Sequence, residues 1–210
     1  MRIAVIGTGN VGGTLGRRWA QGGHQVIFGS RKPQAAATRA VLSEAGPNSR
    51  VAAPQEAAQS AEVVVLAVPW PAVREAISEL GDLSGKTVVD ATNPLLADLS
   101  GLELGVTNSA GEKVAEWARG AKVVKAFNTI GFNIMANPVF GDRRAPLFYC
   151  GDDRGAKEQV RQLASDLGFD PQDVGGLQQA RYLEPLAFLW ISLAFTPSWG
   201  REFAFGLLRR

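Results

Sequence analysis

Near the amino terminus, Gly7-Thr8-Gly9-Asn10-Val11-Gly12 has the residue types and spacing that cradle a pyrophosphate. Gly7 permits a tight turn, Gly9 lets backbone approach the ligand, and Gly12 lets a helix pack closely on the preceding strand. The helix then presents unpaired N–H groups and partial positive charge to the anion. Three spaced glycines alone are weak evidence, but here they follow the apolar run Ile3 to Ile6 and open a helical stretch, which is the required context. A second cluster, Phe28-Gly29-Ser30-Arg31-Lys32, ends the next strand. Enzymes of the unphosphorylated dinucleotide usually carry an acid there for the ribose hydroxyls. This chain has none. Ser30 can donate to a 2′-phosphate, Arg31 can grip it with two parallel bonds, and Lys32 adds a point charge. Thr8, inside the glycine turn, lies close enough to join them. The pattern predicts NADP(H).

Three further loops follow strands: Val68-Pro69-Trp70, Thr92-Asn93-Pro94-Leu95 and Phe127-Asn128-Thr129-Ile130. Ligands of open α/β sheets lie at the carboxyl ends of strands, so these residues are candidate cofactor contacts. Asn93, Asn128 and Thr129 offer neutral hydrogen-bonding groups suited to a nicotinamide or an acceptor ring, although each can equally be an ordinary turn residue. Asn128 and Thr129 are the candidates for the reacting end. No histidine or cysteine follows these strands, and Asp90 and Lys125 lie inside strand runs, where they can pair structurally. Reduction of a ketone or imine usually needs a positioned acid or base. Transfer between two flat redox rings depends more on their alignment. The absence therefore points to a flavin-like acceptor.

The elements that must position these groups alternate strand and helix. Strands are expected at Arg2 to Ile6, Gln25 to Phe28, near Val51, and at Glu62 to Val68, Lys86 to Asp90, Lys122 to Phe127 and Leu147 to Cys150, with an edge strand at Phe169 to Val174. Helical stretches separate them, one capped by Asp152 or Asp153 and ending before Gly168. This predicts an α/β fold, a doubly wound, mainly parallel Rossmann sheet, with residues 1–210 forming one NADP-binding domain. Residues 177–210 are expected to form a helical extension. Leu183, Leu186, Ala187, Trp190, Ile191 and Ala194 recur at helical spacing, while Phe188, Leu189, Leu193 and Phe195 fill the other faces. A helix that is apolar all round is buried all round. The expectation is a dimer interface that also walls a substrate pocket; the alternative is a helix wedged across the sheet edge.

Composition sets outer bounds. Net charge is +2, from 22 basic and 20 acidic residues without a basic stripe, which does not predict a nucleic-acid partner. Arg201, Arg209 and Arg210 read as a solvated helix end. The single cysteine, Cys150, cannot form an intrachain disulfide and reads as a buried strand residue. The single histidine, His24, leaves no metal-ligand set. No apolar run is long enough for a bilayer, and no targeting segment is visible, so a cytoplasmic protein with no membrane partner is expected.

Taken together, Gly7 to Gly12, Gly29-Ser30-Arg31, Val68-Pro69-Trp70, Lys125-Ala126-Phe127-Asn128-Thr129-Ile130 and Cys150-Gly151-Asp152-Asp153 resemble the NADP oxidoreductases that use the deazaflavin coenzyme F-420. The stretch from Lys125 to Ile130 is also similar to the cytosolic NADPH-flavin reductase domain of the six-transmembrane metalloreductases. The similarity runs through Arg181-Tyr182-Leu183-Glu184. It implies NADPH held by Thr8, Ser30 and Arg31, a deazaflavin or flavin stacked beside Asn128 to Ile130, and a homodimer built partly through the last helix. Archaeal members carry histidine where this chain has Asn128, which leaves FMN and FAD as candidate acceptors beside the deazaflavin. The expected activity is hydride transfer between NADP(H) and such an acceptor. The alternatives are an NADPH-dependent reductase of a small imine or keto compound and a non-catalytic NADP-binding module.

Overall fold

The computed structural model describes every residue except 209. β1 (Arg2–Ile6), β2 (Gln25–Gly29), β3 (Ser49–Ala52), β4 (Val63–Leu66), β5 (Thr87–Asp90) and β6 (Lys122–Ala126) form a parallel sheet in the spatial order β3-β2-β1-β4-β5-β6. The connecting helices are α1 (Asn10–Gln21), α2 (Ala36–Ala45), α3 (Pro54–Ser60), α4 (Val73–Ser78) and α5 (Ala110–Trp117). Central strands are apolar on both faces because helices cover both. Ile3, Val5, Val63 and Val65 pack toward α1; Ala4, Ile6, Val64 and Leu66 pack toward α3 and α4. The chain thus leaves β1 for one face and β4 for the other. That reversal opens a crevice at the carboxyl ends of the two neighbouring strands.

Beyond β6 the topology departs from simple alternation. A short α6 (Phe132–Ala136) and a hairpin of β7 (Val139–Phe140) and β8 (Arg143–Arg144) reverse the chain. β9 (Pro146–Gly151) therefore meets β6 antiparallel, with Lys125 opposite Cys150. Asp153 caps α7 (Arg154–Asp166) by accepting from the Ala156 N–H at 2.8 Å, and β10 (Asp170–Asp173) completes the eight-stranded sheet beside β9. His24 is structural, its Nε2 2.9 Å from Asp166 Oδ2, which ties the α1–β2 turn to α7.

The last helix, α8 (Ala180–Ala194), is shorter than the expected extension and is not buried all round. Ala180, Leu183, Ala187, Trp190 and Ala194 face inward, but Tyr182, Leu189 and Phe195 are exposed. The pattern of an all-apolar helix arises because the outward stripe has no cover within one chain. From 202 to 208 the backbone has no regular structure.

Candidate active site

The register aligns Gly29, Ile6, Leu66, Asp90 and Lys125 at the carboxyl edge of the sheet, so the loops that follow share one rim. Gly7 turns with φ +106°, and a Cβ there would lie 2.5 Å from the Ala67 carbonyl oxygen. Gly12 is inside α1, where a Cβ would come within 2.0 Å of the Gly7 carbonyl oxygen. These two glycines are required by close packing of backbone on backbone. Gly9 differs: a Cβ there meets no protein atom within 4 Å, and Gly9 lines the cleft. α1 begins at Gly9 with no side-chain cap, so its leading N–H groups face that space unpaired by a side chain. The open space beside Gly9 and the uncapped helix start fit a pyrophosphate.

At one end of the cleft, Gly7, Thr8, Ser30 and Arg31 line a pocket shared with Glu75 and Glu79 of the α4 segment. Ser30 Oγ is held by the Lys32 N–H at 3.1 Å and lies 3.3 Å from Thr38 Oγ1. Arg31 is two-thirds exposed and reaches Glu75 only at 3.7 Å. The cleft continues past Val68 to a broader section lined by Gly9, Asn10, Val11, Pro69 and Trp70. Its far wall is the 95–99 segment, an apolar flap. Trp70 stacks on Trp117 and donates from Nε1 to Glu103 at 2.9 Å, which fastens that flap.

The other end lies between the β6 loop and α8. Asn93 Nδ2 donates to the Asn128 carbonyl at 2.9 Å, and Asn128 Nδ2 donates back to Asn93 Oδ1 at 3.1 Å and to the Leu183 carbonyl at 3.2 Å. Two acceptors on one side fix which amide atom points there. Asn128 Oδ1 is left buried without a partner among the described residues, as are Thr129 Oγ1 and Asn133 Oδ1. Such groups cost about 1–3 kcal/mol each when nothing meets them. Phe127, just before, has φ +65°, a conformation costing a bulky residue about 1–3 kcal/mol. A strained loop with unpaired amide oxygens, walled by Phe132, Trp190, Ile191 and Phe195, has the character of a ligand site.

Most expected contacts line this cleft. Gly7 and Thr8 are at the first end, Gly9 to Val11 and Val68 to Trp70 in the middle, and Asn93, Asn128 and Ile130 at the far end. Four do not. Gly12 serves packing. Lys32 is exposed and does not line the pocket, its carbonyl accepting from Ala35 and Thr38. Pro94 is buried under the flap, its carbonyl accepting from Glu103 at 2.7 Å. Thr129 is 2% exposed and lies behind the loop, off the cleft wall. The expectation for Arg201 is also revised. It is exposed, but it stands beyond the end of α8 and lines the far pocket instead of forming a helix end; Arg209 lies outside the described residues.

The family model described as NADP oxidoreductase, coenzyme F420-dependent, matches residues 2–94. The F420-dependent NADP reductase of Methanothermobacter thermautotrophicus is 35% identical, over 92% of this chain and 89% of that protein. This chain belongs to the F420-dependent NADP oxidoreductase family. The rat Metalloreductase STEAP3 is 32% identical over 94% of this chain, which spans 38% of that longer protein. A solved structure from Arthrobacter sp. FB24, provisionally described as an F420-dependent NADP reductase, superposes with a TM-score of 0.89 at 34% identity, each chain covered completely. A reductive aminase of Aspergillus terreus shares the fold, with a TM-score of 0.67 at 19% identity.

In this NADP-dependent oxidoreductase one buried cluster ties the sheet to α8. Lys125 Nζ donates to Asp90 Oδ2 and Glu184 Oε1, both at 2.9 Å, and to the Thr92 carbonyl at 2.6 Å. Burial alone would lower the ammonium pKa, but the two carboxylates outweigh it and hold it above the ordinary lysine value. Glu184 also accepts from the Ala110 and Gly111 N–H groups, at 2.9 and 3.0 Å, so it caps α5 from α8. Composition hinted at the Asp90–Lys125 pair, but nothing local pointed to Glu184, 59 residues later. Burial pushes the neighbouring Cys150 thiol up to about 12, which keeps it protonated and inert.

Proposed function

We propose that the enzyme transfers a hydride between NADP(H) and a deazaflavin or flavin, working in the cytoplasm as a homodimer. One observation carries this reading. Neither the middle nor the far section of the cleft is lined by any Asp, Glu, His, Cys, Lys or Tyr among the described residues. A carbonyl or imine acceptor calls for a proton donor at the reacting atom, whereas a flat redox ring calls for alignment in a dry, apolar slot.

NADPH, when bound, supplies the hydride. Gly9 and the start of α1 would hold its pyrophosphate, and Thr8, Ser30 and Arg31 its 2′-phosphate. Asn128, fixed by Asn93 and the Leu183 carbonyl, would accept an N–H from the nicotinamide amide or from the acceptor ring with its free Oδ1. Phe132, Trp190 and Ile191 exclude water from the ring faces. The deazaflavin is supported by the family, and FMN or FAD by the flat pocket and by asparagine at position 128. The apolar stripe of α8 supports the dimer.

Anaerobic mixing with NADPH and a panel of acceptors, followed at the NADPH absorbance band, tests the reading. Oxidation of NADPH with bleaching of the deazaflavin or FMN is the expected result. Turnover confined to an imine or ketone would replace it with a small-molecule reductase. Tight NADPH binding with no acceptor reduced would replace it with a non-catalytic module.

A further inference from the structure

The Lys125 ammonium is buried within the sheet and lines no section of the cleft, so the proposed hydride transfer makes no direct use of it. Its partners come from three separate places. Asp90 lies beside it in register on β5, at 2.9 Å. The Thr92 carbonyl, 2.6 Å away, belongs to the loop after β5. Glu184 Oε1, 2.9 Å away, belongs to α8. Asp90 Oδ1 in turn accepts from the Thr92 N–H at 2.9 Å and from the Thr92 hydroxyl at 2.7 Å. The groups that orient the Asn128 amide are the immediate neighbours of these residues: Asn93 follows Thr92, and Leu183 precedes Glu184. Lys125 itself stands shortly before Asn128 in the chain, across the strained turn at Phe127.

One ammonium thus anchors both supports of one amide. A buried ion cluster is weak evidence for stability, because desolvating the charges offsets their attraction, and apolar residues of similar volume often hold such elements together as well. What charge-assisted bonds add is a fixed distance and direction for each partner. The Asn128 amide needs that. Its Nδ2 bonds to Asn93 and to the Leu183 carbonyl, at 3.1 and 3.2 Å, are at the long end of the usual range, so a small slip of either support would release it. Its Oδ1, buried and without a partner among the described residues, is aimed only by those two bonds. We propose that Lys125 is a positioning residue: from inside the sheet it locks Thr92–Asn93 against Leu183–Glu184 and so holds Asn128 Oδ1 in the direction from which it meets the bound redox groups. Asp90 and Glu184 complete the lock. This rests on the reading above, in which Asn128 Oδ1 accepts an N–H from the nicotinamide amide or from the acceptor ring.

The lock can be removed without stranding a charge. Lys125→Met alone would leave Asp90 and Glu184 buried and unpaired, and is expected to unfold the chain. Combined with Asp90→Asn and Glu184→Gln it leaves a neutral cluster of similar volume. Glu184→Gln alone keeps the Lys125–Asp90 pair and is the milder variant. One readout is hydrogen exchange of the Asn128 side-chain amide by NMR, its signals assigned by their disappearance in Asn128→Ala. The other is the rate of hydride transfer from saturating NADPH to the deazaflavin or FMN. Exchange should quicken about tenfold in the triple variant and by less in Glu184→Gln. NADPH affinity, set mainly at the far-off phosphate end, should stay within about twofold. Asn128→Ala should slow transfer about tenfold, as for one lost hydrogen bond. The triple variant should approach the same rate, and adding Asn128→Ala to it should cost little more, because groups that act through one another are not additive. Additive losses would make the cluster a structural tie and overturn the proposal. Unchanged amide exchange in the triple variant, or in Glu184→Gln if the triple variant does not fold, would overturn it while leaving the acceptor reading standing. Failure to reduce either acceptor, or a wild-type rate in Asn128→Ala, would overturn the acceptor reading and this inference with it.

Discussion

Arg31 stands at the end of β2 with its side chain 66% exposed and a loose 3.7 Å approach to Glu75. Contacts of that kind between exposed groups contribute less than about 1 kcal/mol, so little restrains the guanidinium from a phosphate. Losing a charge-assisted bond costs roughly 1.5–3 kcal/mol, or about 10- to 100-fold in affinity. Arg31→Ala should weaken NADPH by that factor and hardly change NADH, in parallel titrations of both nucleotides; equal losses would remove Arg31 from the phosphate clamp. The glycines divide differently. Gly9 has φ −74° and open space beside it, so Gly9→Ala should leave thermal stability nearly intact while cutting dinucleotide binding. Gly12→Ala forces a Cβ against the Gly7 carbonyl and should cost about 1–3 kcal/mol of stability. A melting curve and an NADPH titration on each variant separate the two roles. Such residues were legible from sequence because turn, helix start and strand end are consecutive in the chain. The placement of Arg201 at the far pocket was not, because it depends on a fold-back fixed by Asn133 and Trp190.

At the scale of elements, what matters is how α8 is held against the sheet. The alternating strands could be read from apolar runs, since a strand covered on both faces has no polar positions to blur it. The antiparallel entry of β9 could not, because the β7–β8 hairpin that reverses the chain is only two residues per strand. Likewise nothing in the local pattern marks Glu184 as buried; only tertiary packing sets it against Lys125. A second link, Arg181 to Glu112, runs between the same two helices with contacts of 2.6 and 2.9 Å. The Arg181 hydrogen bond holds the Glu112 carboxyl below its ordinary value of 4.5. A carboxylate depressed in the folded state contributes stability above its unfolded pKa and loses it as pH falls through the folded one. Glu112→Gln should therefore melt lower than wild type at neutral pH, by about 2–4 °C if the pair is worth 1 kcal/mol. The gap should close as the solution is acidified below 4.5. A gap independent of pH would mean that the pair acts through packing alone.

For the whole molecule, the unresolved demand is the outer face of α8. Tyr182, Leu186, Leu189 and Leu193 fall at i, i+4, i+7 and i+11, one stripe, with Tyr182 67% and Leu189 49% exposed, Leu193 half-buried, and Leu186 half-buried where it packs back on the core. Solvation of such a stripe is unfavourable by about 25 cal/mol for each Å² of apolar surface left in water. A second copy presents the same stripe, and a two-fold axis would set each against the other. The helix has a second duty, because Trp190, Ile191 and Ala194 wall the acceptor pocket from its inner side. In the proposed dimer, pairing and acceptor binding would be coupled through one rigid element, with the proposed phosphate clamp at Arg31 at the opposite end of the cleft. Leu189→Glu places a charge in the middle of the stripe without touching the inner face. It should convert a dimer to a monomer in sedimentation at micromolar concentration. Its KM for the acceptor should rise several-fold, by roughly 1 kcal/mol of lost positioning, with NADPH affinity little changed. A wild-type monomer under the same conditions would show that the stripe is left in water, and an equal loss at both ends of the cleft would show that α8 disturbs the fold instead of the acceptor wall.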